Sequence, residues 1–196
     1  MECYLNKIFS TPFWHVKAAA YNKSKVKELY QWAFKYKKQT EGVVISNIGG
    51  YQSKTEKDFN IIPHFDIIKK ATSFLPPFEF SNWWININHK GDHNVTHTHP
   101  GADLSLVWYF TDNNKSLKLY DPNNLGHNKC FLYKAFKEDK NNFFHKDGDS
   151  FSAEYWWDCK AGDMVIFPGD VPHSVMPHEH NSPRVSLALN IKMITD

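Results

Sequence analysis

Cysteine is scarce in this sequence. Its 196 residues hold three, Cys3, Cys130 and Cys159, an odd number with no CxxC pair. That leaves no disulfide framework and fits a reducing, cytoplasmic setting. Net charge is also nearly absent, at +2, which argues against a nucleic-acid partner. Lysines are densest over residues 24–38, where they read as the solvated face of a helix. No run approaches the ~18 apolar residues of a membrane span. The N-terminus, MECYLNKIFSTPFWHVKAA, has no long apolar core and carries charge throughout, unlike a secretory leader. Internal repeats and long linkers are missing too. What is present is ample apolar mass, 41% hydrophobic and 16% aromatic, enough for one core. One domain over 1–196 is expected.

Two helices are expected early. The stretch 24–38 sets Val26, Leu29, Tyr30, Phe34 and Tyr36 at helical spacing. PHFDIIKKATSF, 63–74, opens on proline and is stopped by Pro76 and Pro77. Between them, IGGYQSKTEKD, 48–58, reads as a turn or loop. From about residue 79 short alternating segments take over: 80–88, 104–110, 116–120, 151–157, 163–168 and 183–193, parted by Gly and Pro turns. Residues 121–150 are polar and give no clear element. The order predicts a mostly β protein with flanking helices: a jelly roll over about 79–196, with the helices of a part spanning about 1–78 packed on one sheet.

Strand residues alternate between faces. Trp83, Ile85 and Ile87 share one face, and Trp84, Asn86 and Asn88 the other. Leu104, Leu106, Trp108 and Phe110 oppose Ser105, Val107 and Tyr109. Val185, Leu187, Leu189 and Ile191 oppose Arg184, Ser186, Ala188 and Asn190. An ordinary half-solvated sheet would give such a pattern. A water-facing side, however, is normally rich in Lys, Glu and Thr, whereas Asn, Ser, Tyr, Ala and a single Arg suit a lined pocket.

HNVTHTHPGADLSLVWYF, 93–110, places His97 and His99 two residues apart, on one side if the backbone is extended. An HxH pair alone is weak evidence of a metal site. Here a third histidine, His173, follows in GDMVIFPGDVPHSV (162–175), and Arg184 comes eleven residues later on a predicted strand. The triplet HEH at 178–180 lies in the proline-flanked loop between them and reads as solvated, and the WW pairs at 83–84 and 156–157 read mainly as core.

SNIGGYQS (46–53), NHKGDHNVTHTHPGADLSLVWYF (88–110), GDMVIFPGDVPHSV (162–175) and PRVSLALNI (183–191) together resemble the Fe(II)/2-oxoglutarate-dependent dioxygenases on the double-stranded β-helix. The nearest resemblance is to a small phage and marine-bacterial group of 2OG-Fe(II) oxygenases akin to prolyl hydroxylases. It covers most of the chain from about residue 41. In the superfamily an HxD or HxE pair and a distal histidine hold iron, and a basic residue further on binds 2-oxoglutarate. Carried over, His97 and His173 are the two histidine ligands. His99 stands where most members have a carboxylate, with Asp103 the alternative third ligand. Arg184 would bind the far carboxylate through its planar fork. Ser186 and Tyr109 would add to that contact, and Asn86, Asn88, Ser105 and Asn190 would complete the polar lining.

The resemblance implies Fe(II), 2-oxoglutarate and O2 as the reagents. The expected products are succinate, CO2 and a hydroxylated peptide, prolyl or small-molecule substrate. Loop 48–58 and segment 121–150 are the expected lids. A phage-encoded protein at work in a host cytoplasm would fit the Lys- and Asn-rich composition. Two rival readings stand: a three-histidine cupin-like dioxygenase without 2-oxoglutarate, and a non-enzymatic jelly-roll module.

Overall fold

The alternating segments resolve into two antiparallel sheets. The computed structural model describes residues 11–17, 23–122 and 154–194. In chain order these form β1 (Trp14–Val16), α1 (Lys23–Gln39), β2 (Asn47–Ile48), β3 (Tyr51–Gln52), a 3-10 turn at Phe59–Ile61, α2 (Phe65–Ala71), β4 (Phe78–Asn88), β5 (His93–His97), β6 (Leu104–Tyr109), β7 (Asn113–Tyr120), β8 (Glu154–Cys159), β9 (Met164–Pro168), β10 (His173–Val175) and β11 (Arg184–Met193). The larger sheet has the order β1-β9-β6-β11-β4-β3 and the smaller one β2-β5-β10-β7-β8. The result is a jelly roll with both helices on the larger sheet, as the alternation predicts.

The apolar faces explain that layering. Trp83, Ile85, Ile87, Leu106, Leu187 and Leu189 are all fully buried and share one cluster with Leu29 and Ala33 of α1 and Ile68 of α2. Trp32 and Tyr36 of α1 set their rings 5.8 and 5.5 Å from Trp83. A second cluster lies between the sheets, where Tyr109, Val165 and Phe167 meet Leu117, Leu119, Cys159 and Val171. The large sheet is therefore covered on both sides, and the face rich in Asn, Ser and Arg is turned to the interior.

The N-terminal part is not purely helical. β1 pairs with β9, while the stretch expected as a 48–58 loop passes from the small sheet to the large one. Strands of two residues are too short to show a period of two. Gly49 and Gly50 make the crossing with φ of +69° and +65°, and a Cβ on Gly49 would sit 2.1 Å from Asp92 Oδ1. α2 is also shorter than the expected 63–74. It starts after His64, which is in the left-handed region, and ends where the Thr72 hydroxyl donates to the Ile68 carbonyl at 2.9 Å. Most of segment 121–150, the first residues of the expected 151–157 strand, and Cys3 and Cys130 lie outside the described residues.

Candidate metal centre

His97 is the last residue of β5 and His173 the first of β10, and the two strands pair with these residues directly opposite. His99 lies just beyond the strand. Its N–H donates to the Gly169 carbonyl at 2.7 Å, while its carbonyl accepts from Ala102 N at 3.1 Å. The turn after β9 thus holds the third imidazole. Gly169 is required there, because a Cβ would stand 2.4 Å from the Ala102 carbonyl oxygen. The ring centroids of His97 and His173 are 4.3 Å apart, those of His99 and His173 4.8 Å, and those of His97 and His99 5.3 Å. One ligating nitrogen from each falls within 4.8 Å of the others.

The remaining nitrogens explain why these rings are aimed. His97 Nδ1–H donates to the Val95 carbonyl at 2.8 Å, and His173 Nδ1–H to the Val171 carbonyl at 2.9 Å. A carbonyl only accepts, so the proton sits on Nδ1 and the lone pair on Nε2. His99 Nδ1 bonds Asn190 Oδ1 at 3.0 Å and Ser105 Oγ. Its Nε2 is buried with no partner. Burial pushes the proton affinity of all three rings down. His97 is lowered, His99 falls to about 4 and His173 to about 3, the last two helped by proximity to His97. All three are neutral at pH 7, the form that binds metal.

Asp103 does not join them. Its carboxylate accepts from Lys192 Nζ at 3.0 Å and Met193 N at 2.8 Å, and those two bonds hold it below the ordinary carboxylate range. The 100–103 turn faces outward because the Asp103 backbone is tied on both sides, its N–H to Ile191 O and its carbonyl to Gly169 N. Of the two candidates for a third ligand, His99 is the one whose ring lies in the cluster.

The polar residues fall into rows across the inner face. Arg184 lies opposite Asn88; Ser186 lies between Asn86 and Tyr109; Ala188 lies between Trp84 and Val107; Asn190 lies between Asn82 and Ser105. Ser105 and Asn190, expected as cofactor lining, are instead placed on the His99 ring. Trp84 packs edge-on to His99 at 5.2 Å, so of the 83–84 pair only Trp83 belongs to the helix-side core. Alternation already put Trp84 on the polar face and could have singled it out. Trp84, Asn86, Val107 and Asn190 remain partly exposed, marking the open part of the interior.

Arg184 is 3% exposed. Its Nη1 donates to the Met176 carbonyl at 3.0 Å, and its Nη2 is buried with no partner. Burial lowers it to about 10, still cationic at neutral pH. No carboxylate among the described residues forms an ion pair with it; Asp92 acts on it only from beyond contact distance. Tyr109 beside it is fully buried, which raises its phenol well above the ordinary value and keeps it a neutral donor. His178 of the HEH triplet is buried, not solvated as its loop position suggests. Three neutral nitrogens facing one point, and a buried guanidinium with one donor unpaired, have the chemistry to hold a transition metal and a small anion.

Comparison with known proteins agrees with this chemistry. A family model for 2OG-Fe(II) oxygenases matches residues 82–190, which run from β4 into β11. No curated protein matches. Among solved structures, SnoN, the non-heme alpha-ketoglutarate-dependent epimerase of nogalamycin biosynthesis, superposes with a TM-score of 0.67 at 11% identity, over 94% of this chain and 79% of its own. A prolyl-4-hydroxylase from Pseudomonas putida gives 0.61 at 14% identity, covering 95% of each chain. HygX from Streptomyces hygroscopicus, with nickel and 2-oxoglutarate bound, gives 0.58 at 12%, over 93% and 83%. At these identities the likeness is one of fold.

Proposed function

The chain belongs to the 2OG-Fe(II) oxygenase family, and on that premise we propose that His97, His99 and His173 hold its iron while Arg184 holds the far carboxylate of 2-oxoglutarate. The observation that carries the reading is the pair of orphaned buried atoms: His99 Nε2, which lacks a partner, and Arg184 Nη2, which lacks an anion. The donor set fits the metal. Three neutral imidazoles are good ligands for Fe(II), and a site without a carboxylate is one unit more positive than the common triad, which favours a dianionic cosubstrate. Bound iron supplies the O2-dependent oxidation in which 2-oxoglutarate becomes succinate and CO2 and the substrate is oxidised.

The protein's own part is binding and shielding. The Arg184 fork offers two parallel N–H donors to a carboxylate, and Tyr109 and Ser186 add hydroxyls from the neighbouring row. Asn88, opposite Arg184, and Asn86, opposite Ser186, continue the polar lining. Ser105 and Asn190 keep the proton of His99 on Nδ1, leaving Nε2 for the metal. Trp84 and Val107 give the open part of the inner face an apolar wall beside the ligands.

The substrate we infer is a peptide, prolyl residues included, or a small molecule, hydroxylated at a C–H bond. Fold neighbours that hold a peptide fragment of hypoxia inducible factor, in a prolyl hydroxylase, and hygromycin B, in HygX, support that range. No helix among the described residues is long and apolar enough to cross a membrane. A three-histidine oxygenase that dispensed with 2-oxoglutarate would leave Arg184 buried without an ion pair and its Nη2 without an acceptor. The test is anaerobic: add 2-oxoglutarate to the Fe(II)-loaded protein and record the metal-to-ligand absorption band. The band should appear in wild type and be lost in Arg184→Ala, and its absence from wild type would sink the reading. Succinate release over a panel of peptides and small metabolites then identifies the substrate.

A further inference from the structure

We propose that His178 is a positioning residue for the cosubstrate site, acting as a strut that fixes the loop against which the Arg184 guanidinium is oriented. The inference rests on the assignment of Arg184 to the 2-oxoglutarate carboxylate.

Between His173 and Arg184 the chain leaves the small sheet and crosses to the large one. Over 177–182 every residue is exposed except His178, which is 4% exposed. Its backbone is stitched to the β4–β5 turn: the N–H donates to Asp92 O at 3.0 Å, and the carbonyl accepts from Gly91 N at 2.8 Å. Its side chain closes the loop on itself, Nε2–H donating to the Ser182 carbonyl at 2.6 Å, two residues before Arg184. On the other limb, the Met176 carbonyl accepts from Arg184 Nη1 at 3.0 Å, while Met176 N is held by Ser116 O at 2.8 Å. The guanidinium therefore spans the two ends of a loop whose interior is filled by one imidazole.

That arrangement decides where the fork points. A guanidinium is planar, so holding Nη1 on a carbonyl narrows the directions open to Nη2. Nη2 is the donor left without a partner. If the loop opened, the Met176 carbonyl would move, water would reach the guanidinium, and Nη2 would lose its aim. Simple space-filling does not need the Nε2–H bond to Ser182. The strut does.

The experiment is an anaerobic titration of the Fe(II)-loaded protein with 2-oxoglutarate, read by the same absorption band, with iron affinity measured separately. His178→Ala and His178→Leu should each raise the Kd for 2-oxoglutarate about tenfold and leave iron affinity unchanged, the loss of a buried hydrogen bond to a carbonyl being of that order. His178→Gln, which returns an N–H within reach of Ser182 O, should recover most of the loss. A wild-type Kd in His178→Leu overturns the proposal, as does a His178→Gln no better than His178→Leu. Leu and Gln are matched in bulk, so this pair decides even if the alanine variant does not fold. Arg184→Ala separates the two readings. An unchanged Kd there removes the assignment of Arg184 itself, whereas a lost band with a normal His178→Leu removes only the strut.

Discussion

At the scale of single residues, the centre depends on which nitrogen of each imidazole carries the proton. His97 and His173 use main-chain carbonyls for this, and His99 uses side chains. Removal of a ligand and removal of its orienter should therefore differ in degree. His97→Ala or His173→Ala should weaken Fe(II) binding at least about 100-fold, and Ser105→Ala or Asn190→Ala about 10- to 100-fold; anaerobic metal titration measures both. HxH, the distant histidine and Arg184 were legible in the sequence because their spacing is chemical and survives without knowledge of the fold. The choice between His99 and Asp103 was not. It depends on Lys192 and Met193, about ninety positions away, which take the Asp103 carboxylate. His178 was missed for a similar reason. A histidine between prolines looks solvated until the β4–β5 turn is seen to close over it.

At the scale of elements, the centre is assembled from strand ends and the turns that brace them. β5 and β10 bring His97 and His173 into register, and the turn after β9 clamps the segment that carries His99. Gly169→Ala is the sharpest probe of that clamp. The added methyl meets a backbone carbonyl and cannot be relieved by a side-chain rotation. The 99–103 segment must move, so iron affinity should fall about tenfold or more while the far-ultraviolet circular dichroism stays that of wild type. The long strands were readable from alternation, which held over 83–88, 104–109 and 184–190; a register shift between Asn190 and Ile191 then puts Phe80 on the helix side, which a strict period of two misses. β2 and β3 were not, since their two residues each take their structure from partners on β4 and β5.

At the scale of the whole molecule, burial of three imidazoles ties stability to pH. His99 and His173 have folded values of about 4 and 3 against an ordinary 6.5. Between those values the unfolded chain binds more protons than the folded one, so stability is fully present above about pH 6.5 and declines as pH falls toward 4. The slope is at most about 1.4 kcal/mol per pH unit for each ring. Urea unfolding of the metal-free protein at pH 7.5 and 5.0 should show the midpoint moving down, and saturating Fe(II) at pH 7.5 should move it up. On the helix side of the sheet, Trp83→Ala should cost about 3–5 kcal/mol, because a fully buried indole touching α1 leaves a cavity the helix cannot close.

The large sheet keeps its two duties on opposite sides. One side, against α1 and α2, is a continuous apolar layer that holds the fold together. The other presents Arg184, Ser186, Tyr109, Asn86, Trp84 and Asn190 to the interior, where several remain partly exposed and few carry the apolar load. Neighbouring residues on the same strands therefore meet different surroundings. Changes at Trp84, Asn86, Ser186 and Ala188 can retune what the enzyme accepts while Trp83, Ile85, Ile87, Leu187 and Leu189 go on holding the helices. This separation lets one scaffold take up new substrates through single substitutions without first needing compensating changes in its core.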